Sequence, residues 1–192
     1  MQDIEFTIQE KKLWMLQTRR GKRTGIAAIK IATDMVKERL ITKEVAVSRV
    51  RPHQIYESLL KNIDPKDIEN SLPISLGLPA GPGASCGIAV FTAERAEELG
   101  KKNKKVILVR EETSPEDIHG MHYSEGILTS RGGLTSHAAL VARGWGKSCV
   151  VGCQDLTIDK SHTFAKIGDK KIKEGDHITL NGSSGDIYLG KM

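Results

Sequence analysis

From residue 84 onward the chain alternates: apolar runs of strand length are separated by stretches whose apolar residues recur every three or four positions. Such alternation confines it to a layered α/β architecture, because neighbouring parallel strands need a crossover and a helix supplies one. Strands are expected at about 87–91, 106–109, 126–129 and 149–151, and helices over 92–99, just after Ser114-Pro115-Glu116-Asp117, and from about 136 to 143. Two further strands, near 177–180 and 186–189, are joined by Asn181-Gly182-Ser183-Ser184-Gly185, a turn sequence, so the sheet is expected to be mixed.

The first part reads differently. Residues 3–8 and 13–18 alternate in hydropathy (Ile4, Phe6, Ile8; Leu13, Met15) about the polar turn Gln9-Glu10-Lys11-Lys12, which predicts a β-hairpin. From Thr24, a plausible N-cap, the residues Ala27, Ala28, Ile31, Ala32, Met35, Val36 and Leu40 give one apolar helical face. A second helix is expected after Thr42 and a third around 53–61, ending before Asp64-Pro65. Residues 71–85 then carry three of the six prolines and no charge, and read as a linker followed by an entry loop. The expected organisation is therefore a hairpin (1–23), a helical connecting segment (24–70), a linker (71–83) and an α/β domain (84–192).

Composition excludes several classes. No run approaches the roughly 18 apolar residues a spanning helix needs, and MQDIEFTIQEKK has neither the charge nor the apolar region of a secretory signal. A cytoplasmic protein is expected. The cysteines, Cys86, Cys149 and Cys153, form no Cys-x-x-Cys pair, so reduced, buried thiols are expected rather than a disulfide framework or a thiolate zinc site. The net charge of +5 is concentrated upstream: residues 1–75 hold 14 Lys and Arg against 10 Asp and Glu. Its densest run, Arg19-Arg20-Gly21-Lys22-Arg23, has no interleaved Phe or Tyr on which bases would stack, so no nucleic-acid partner is expected.

Chemistry concentrates in Thr129-Ser130-Arg131-Gly132-Gly133-Leu134-Thr135-Ser136-His137-Ala138-Ala139-Leu140-Val141-Ala142-Arg143-Gly144. Gly132 and Gly133 permit close approach of backbone to a ligand. The free amides of a first helical turn favour an anion there, and Thr135 and Ser136 add hydroxyls. Neutral imidazole at such a place is a competent nucleophile, and its adduct with a phosphoryl donor is a phosphohistidine. A histidine at a helix N-terminus serves equally as a cap or a packing residue, so spacing alone leaves both roles open for His137. His119 and His122 have a three-residue spacing but no further ligand completes a metal set, which points to packing or surface roles. His53, His162 and His177 belong to no constellation.

The run Gly132 to Arg143, continued by Gly146-Lys147-Ser148-Cys149-Val150-Val151-Gly152-Cys153, resembles the phosphohistidine signature of the phosphoenolpyruvate-utilising enzymes. Within them it is most similar to the pyruvate, phosphate dikinase family. Phosphoenolpyruvate synthases and the first enzyme of the sugar phosphotransferase system usually have Arg where Leu134 stands, and the synthases often have Cys where Ser136 stands. Residues 2–7 and 16–19 resemble the last two strands of the family's ATP-grasp domain, and 24–61 its small connecting segment.

The resemblance implies a swivelling β/β/α phosphohistidine domain, with His137 as phosphoryl acceptor, Thr135 and Ser136 beside it, and Gly132 and Gly133 supporting the phosphate. It assigns Glu5, Gln17 and Arg19 to nucleotide binding. It implies the reaction ATP + phosphate + pyruvate to AMP + pyrophosphate + phosphoenolpyruvate, with Mg2+ acting in the ATP-grasp and TIM-barrel domains and none bound by this chain alone. Those two domains of the same enzyme are the implied partners, in a homodimer, in the cytoplasm or in an organelle of a eukaryote. Residues 72–83 and the helices before them would be hinge material. Thr135 matches a threonine that plant members phosphorylate, although a cap and hydrogen-bond partner is the simpler role. Remaining alternatives are a carrier of the synthase or sugar-phosphotransferase type, and a non-catalytic interaction module of the same fold.

Overall fold

A computed structural model describes residues 2–21 and 23–192; Lys22 of the basic run lies outside the described residues. The chain divides into two compact units, 1–59 and 60–192.

In the first unit, β1 (Gln2–Gln9) and β2 (Lys12–Arg20) form an antiparallel hairpin in which Gln9 faces Lys12. The connecting Glu10 and Lys11 both have positive φ, 51° and 60°, the twist that a two-residue hairpin loop requires. The register shifts beside Glu5 and Phe6, leaving Leu16 as a bulge. Helices α1 (Gly25–Lys37), α2 (Lys43–Arg49) and α3 (Pro52–Leu59) follow. Thr24 and Thr42 cap the first two, their side chains accepting from the amides of Ala27 and Val45. Helix α1 stops at Lys37, so Leu40 is exposed rather than part of its buried face.

The second unit opens with α4 (Pro65–Asn70), capped by Asp64 and begun by Pro65. Its core is an eight-stranded sheet in the order β3-β13-β12-β5-β6-β7-β8-β4. The strands are β3 (Ser75–Leu76), β4 (Leu78–Gly81), β5 (Ala84–Val90), β6 (Val106–Arg110), β7 (Gly126–Thr129), β8 (Ser148–Val151), β12 (His177–Asn181) and β13 (Asp186–Leu189). Strands β5 to β8 run parallel and the others pair antiparallel.

Residues 71–83, expected as a linker, thus supply two strands of this sheet. The expectation failed because Pro and Gly usually interrupt strands, whereas β4 is an edge strand and the missing N–H of Pro79 needs no partner on its open side. Only Gly77 separates β3 from β4, yet they lie at opposite ends of the strand order. A flat sheet would hold such edges about 33 Å apart, so this one curls until they meet. Gly182, in the β12–β13 turn, is packed so closely that a Cβ there would strike the Gly81 carbonyl and Ser148.

Alternate residues point to two cores. Ala89, Phe91, Ile107, Val109, Leu128 and Val150 face a small sheet of β9 (Leu156–Ile158), β10 (Phe164–Ile167) and β11 (Lys170–Lys173), none of which the sequence had predicted. Val90, Val106, Leu108, Ile127 and Cys149 face the helices α5 (Ala93–Lys101), α6 (Ile118–Tyr123) and α7 (His137–Gly144). The layering is therefore β/β/α, and β6 reads as the uninterrupted Val-Ile-Leu-Val because both of its faces are covered. No helix among the described residues is long and apolar enough to cross a membrane.

Candidate functional site

Parallel strands deliver their C-terminal ends, and the loops that follow, to one edge of the sheet, where α/β folds usually bind ligands. Strand β7 ends at Thr129 and leads into the loop 130–136, after which α7 begins at His137. Two backbone bonds tie this loop to the end of β6, Ser130 to the Arg110 carbonyl (3.2 Å) and Arg131 to the Glu111 carbonyl (2.8 Å). Gly132 adopts φ +102°, and a Cβ there would lie 2.9 Å from that of Ser136, so this glycine is required by the turn itself. Gly133 has nothing within 4 Å of where a Cβ would stand, which leaves that side of the loop open.

Ser136 is the N-cap of α7, its Oγ accepting from the Ala139 amide at 3.4 Å. Thr135, expected as a cap, is instead exposed and makes no side-chain hydrogen bond among the described residues. Ser136 holds the extended backbone a cap needs, and α7 starts one residue later. His137 is partly buried at the first helical position, where the amides of the first turn face outward. Its Nε2 is buried and has no hydrogen-bond partner among the described residues.

Sequence reasoning had quoted Arg143 without giving it a role. Its guanidinium reaches back from α7, donating to the Leu134 carbonyl (2.5 Å) and to the Ala80 carbonyl of β4 (3.2 Å). It thereby braces the loop against the sheet edge. Arg131 was likewise quoted without a role and Arg110 was missed altogether; they line a cavity of about 300 Å3 with Glu111 and His162 at the same edge. Arg110 is anchored by the Phe91 carbonyl at 3.3 Å and by the buried Asp117 carboxylate, also at 3.3 Å. The signal for both was topological: each stands at the C-terminal end of a parallel strand or just beyond it.

Glu5, Gln17 and Arg19 belong to the hairpin unit. Glu5 stands opposite Gln17, and Arg19 donates to the Glu5 carboxylate, so the three share one exposed face of the hairpin. No group of three or more His, Cys, Asp or Glu gathers as a metal-ligand set among the described residues. His119 lies 3.8 Å from Glu97, and His122 packs edge-on against Tyr123 and Trp145. Cys149 and Cys153 are buried and Cys86 is half-buried. Burial pushes the Cys149 thiol up to about 12 and raises that of Cys153, so neither is a nucleophile at neutral pH.

Residues 102–185 match the family described as PEP-utilising enzyme, mobile domain. Over its whole length the chain is 54% identical to pyruvate, phosphate dikinase 1, chloroplastic, of Arabidopsis thaliana, 53% to the chloroplastic pyruvate, phosphate dikinase of Flaveria pringlei and 52% to pyruvate, phosphate dikinase 2 of Zea mays. It spans only 20–22% of the length of these relatives. A solution structure of an Enzyme I protein is similar to 46% of this chain and 32% of its own, at 24% identity and a TM-score of 0.33.

Proposed function

We propose that this chain, a segment of the pyruvate, phosphate dikinase family, carries phosphoryl groups on His137 between an ATP and phosphate site and a pyruvate and phosphoenolpyruvate site. The observation that supports this most is the buried, unpartnered Nε2 at the start of α7. A buried acceptor without a donor costs on the order of 1–3 kcal/mol, and turning the imidazole toward an incoming phosphoryl group removes that cost. The lone pair of Nε2 then forms the N–P bond as the donor's P–O bond breaks, and the first-turn amides of α7 face the transferred oxygens.

The overall reaction would be ATP + phosphate + pyruvate to AMP + pyrophosphate + phosphoenolpyruvate. The ATP-grasp and TIM-barrel parts of the same enzyme would complete it, in a homodimer, within the cytoplasm or an organelle. Magnesium would act in those other domains; among the described residues no set of His, Cys, Asp or Glu gathers to hold it. Glu5, Gln17 and Arg19 would contribute one wall of the nucleotide site. Because 75–76 and 78–81 are held in sheet ladders, a swing of the carrier domain would be accommodated by residues before Ser75.

To test this, the chain is mixed with phosphoenolpyruvate, magnesium and a separately produced active barrel domain, and its intact mass is measured. A gain of one acid-labile phosphoryl group, absent in His137→Asn, is expected. An adduct that survives in the variant, or no adduct beside a verified barrel, would overturn the assignment.

A further inference from the structure

We propose that Arg143 is a positioning residue for phosphoryl transfer to His137, holding the loop before α7 in the one shape the transfer needs. The proposal rests on the carrier reading above and adds a residue to it.

An arginine in the last turn of a helix commonly bonds the free carbonyls there. In α7 those carbonyls are already taken, because the amides of Trp145, Gly146 and Lys147 donate to Val141, Arg143 and Ala142. The guanidinium is spare, and helical side chains lean toward the N-terminus of their helix. It arrives at the carbonyl of Leu134, three residues before His137, and at that of Ala80 in β4. Ala80 is the extra residue of a bulge: Pro79 faces Val150 and Gly81 faces Cys149, with no ladder partner between them. A bulge leaves its extra residue out of the regular pairing, and the planar fork of Arg143 spans from that residue to the loop.

The loop has little else to hold it. Among the described residues, the bond from Arg143 to Leu134 is the one side-chain hydrogen bond made to residues 132–135. The amides of Gly133, Leu134 and Thr135 donate to no acceptor among the described residues, and Leu134 and Thr135 are exposed. These amides and those of the first turn of α7 can serve one transferred phosphoryl group together only while the loop keeps a single shape. A loop that wanders would have to be ordered again at every transfer, and a misplacement of about 1 Å costs on the order of 100-fold in rate.

The test times the labelling of His137 by phosphoenolpyruvate and the active barrel domain, by intact mass at rising barrel concentration. Parent, Arg143→Gln and Arg143→Lys are compared, with urea unfolding of each to establish that it is folded. The maximal labelling rate of Arg143→Gln is expected to fall about 10- to 100-fold, with the half-saturating barrel concentration little changed. Arg143→Lys, which replaces the fork by one ammonium group, should lie between the other two. A maximal rate in Arg143→Gln equal to the parent's, a loss confined to the half-saturating concentration, or Arg143→Lys no faster than Arg143→Gln would overturn the proposal. Should Arg143→Gln be unfolded, Arg143→Lys decides alone: a lowered maximal rate supports the proposal and the parent rate overturns it. A parent that accepts no phosphoryl group overturns the carrier reading and this proposal with it, so the two failures are told apart.

Discussion

At the scale of single residues, two adjacent positions divide the labour at the start of α7. Ser136 satisfies a helix amide and His137 is left with an unpartnered nitrogen. Ser136→Ala should therefore cost about 1 kcal/mol of stability, measured by urea unfolding, while Thr135→Ala, with no bond to lose, should cost much less. Cys149 makes a pH-dependent prediction. Its thiol is raised from an ordinary 9.0 to about 12, so between those values the unfolded state has released a proton that the folded state retains. Stability is thus unaffected below about pH 9 and falls as pH rises toward 12. The slope of unfolding free energy against pH over that window should be smaller in Cys149→Ala than in the parent, whatever the variant's stability at neutral pH.

Elements show where local sequence decides and where it does not. The loop 130–136 owes its turn to Gly132 and its position to Arg143, which bonds a carbonyl nine residues back and another on β4. Arg143→Gln should accelerate amide exchange at Thr135 and Ser136 with a smaller effect on global unfolding, because the ladders of the sheet are untouched. Exchange in the loop that matches the parent would show that the brace is dispensable. Strands β7 and β13 were legible in the sequence because each is an apolar run bounded by turn residues. Strands β9 to β11 were not: Phe-Ala-Lys-Ile and Lys-Lys-Ile-Lys are four residues long with lysines on their open side, too short for alternation to stand out from a polar loop.

Across the whole molecule, burial is uneven. Among the described residues the buried hydrophobic side chains of unit 1 are Ala28 and Ala32, whereas Phe91, Ile107, Leu108, Ile127, Leu128 and many others fill residues 60–192. Both faces of the β1–β2 hairpin are exposed, with Phe6 and Trp14 each more than half accessible, and an isolated hairpin is marginal in water. Hydrogen exchange should therefore be slow through β5–β8 and fast through β1 and β2; comparable protection in both would contradict this division. Gly182→Ala should destabilise residues 60–192 by about 1–3 kcal/mol or more, since a Cβ there meets backbone at the place where the curled sheet closes.

By itself the sequence determined the β/α alternation, the cap at Thr24, the helix after Thr42 and the glycine loop before His137, while it placed on Thr135 the cap that Ser136 supplies. Each of these is a local matter of periodicity, turn chemistry or one side chain bonding a nearby amide. Only the tertiary structure decided that Leu-Pro-Ala-Gly is an edge strand rather than a linker and that Arg143 holds the loop. Those outcomes depend on which distant residues the curl of the sheet brings together, and contact between segments far apart in the chain leaves no periodic trace in either one.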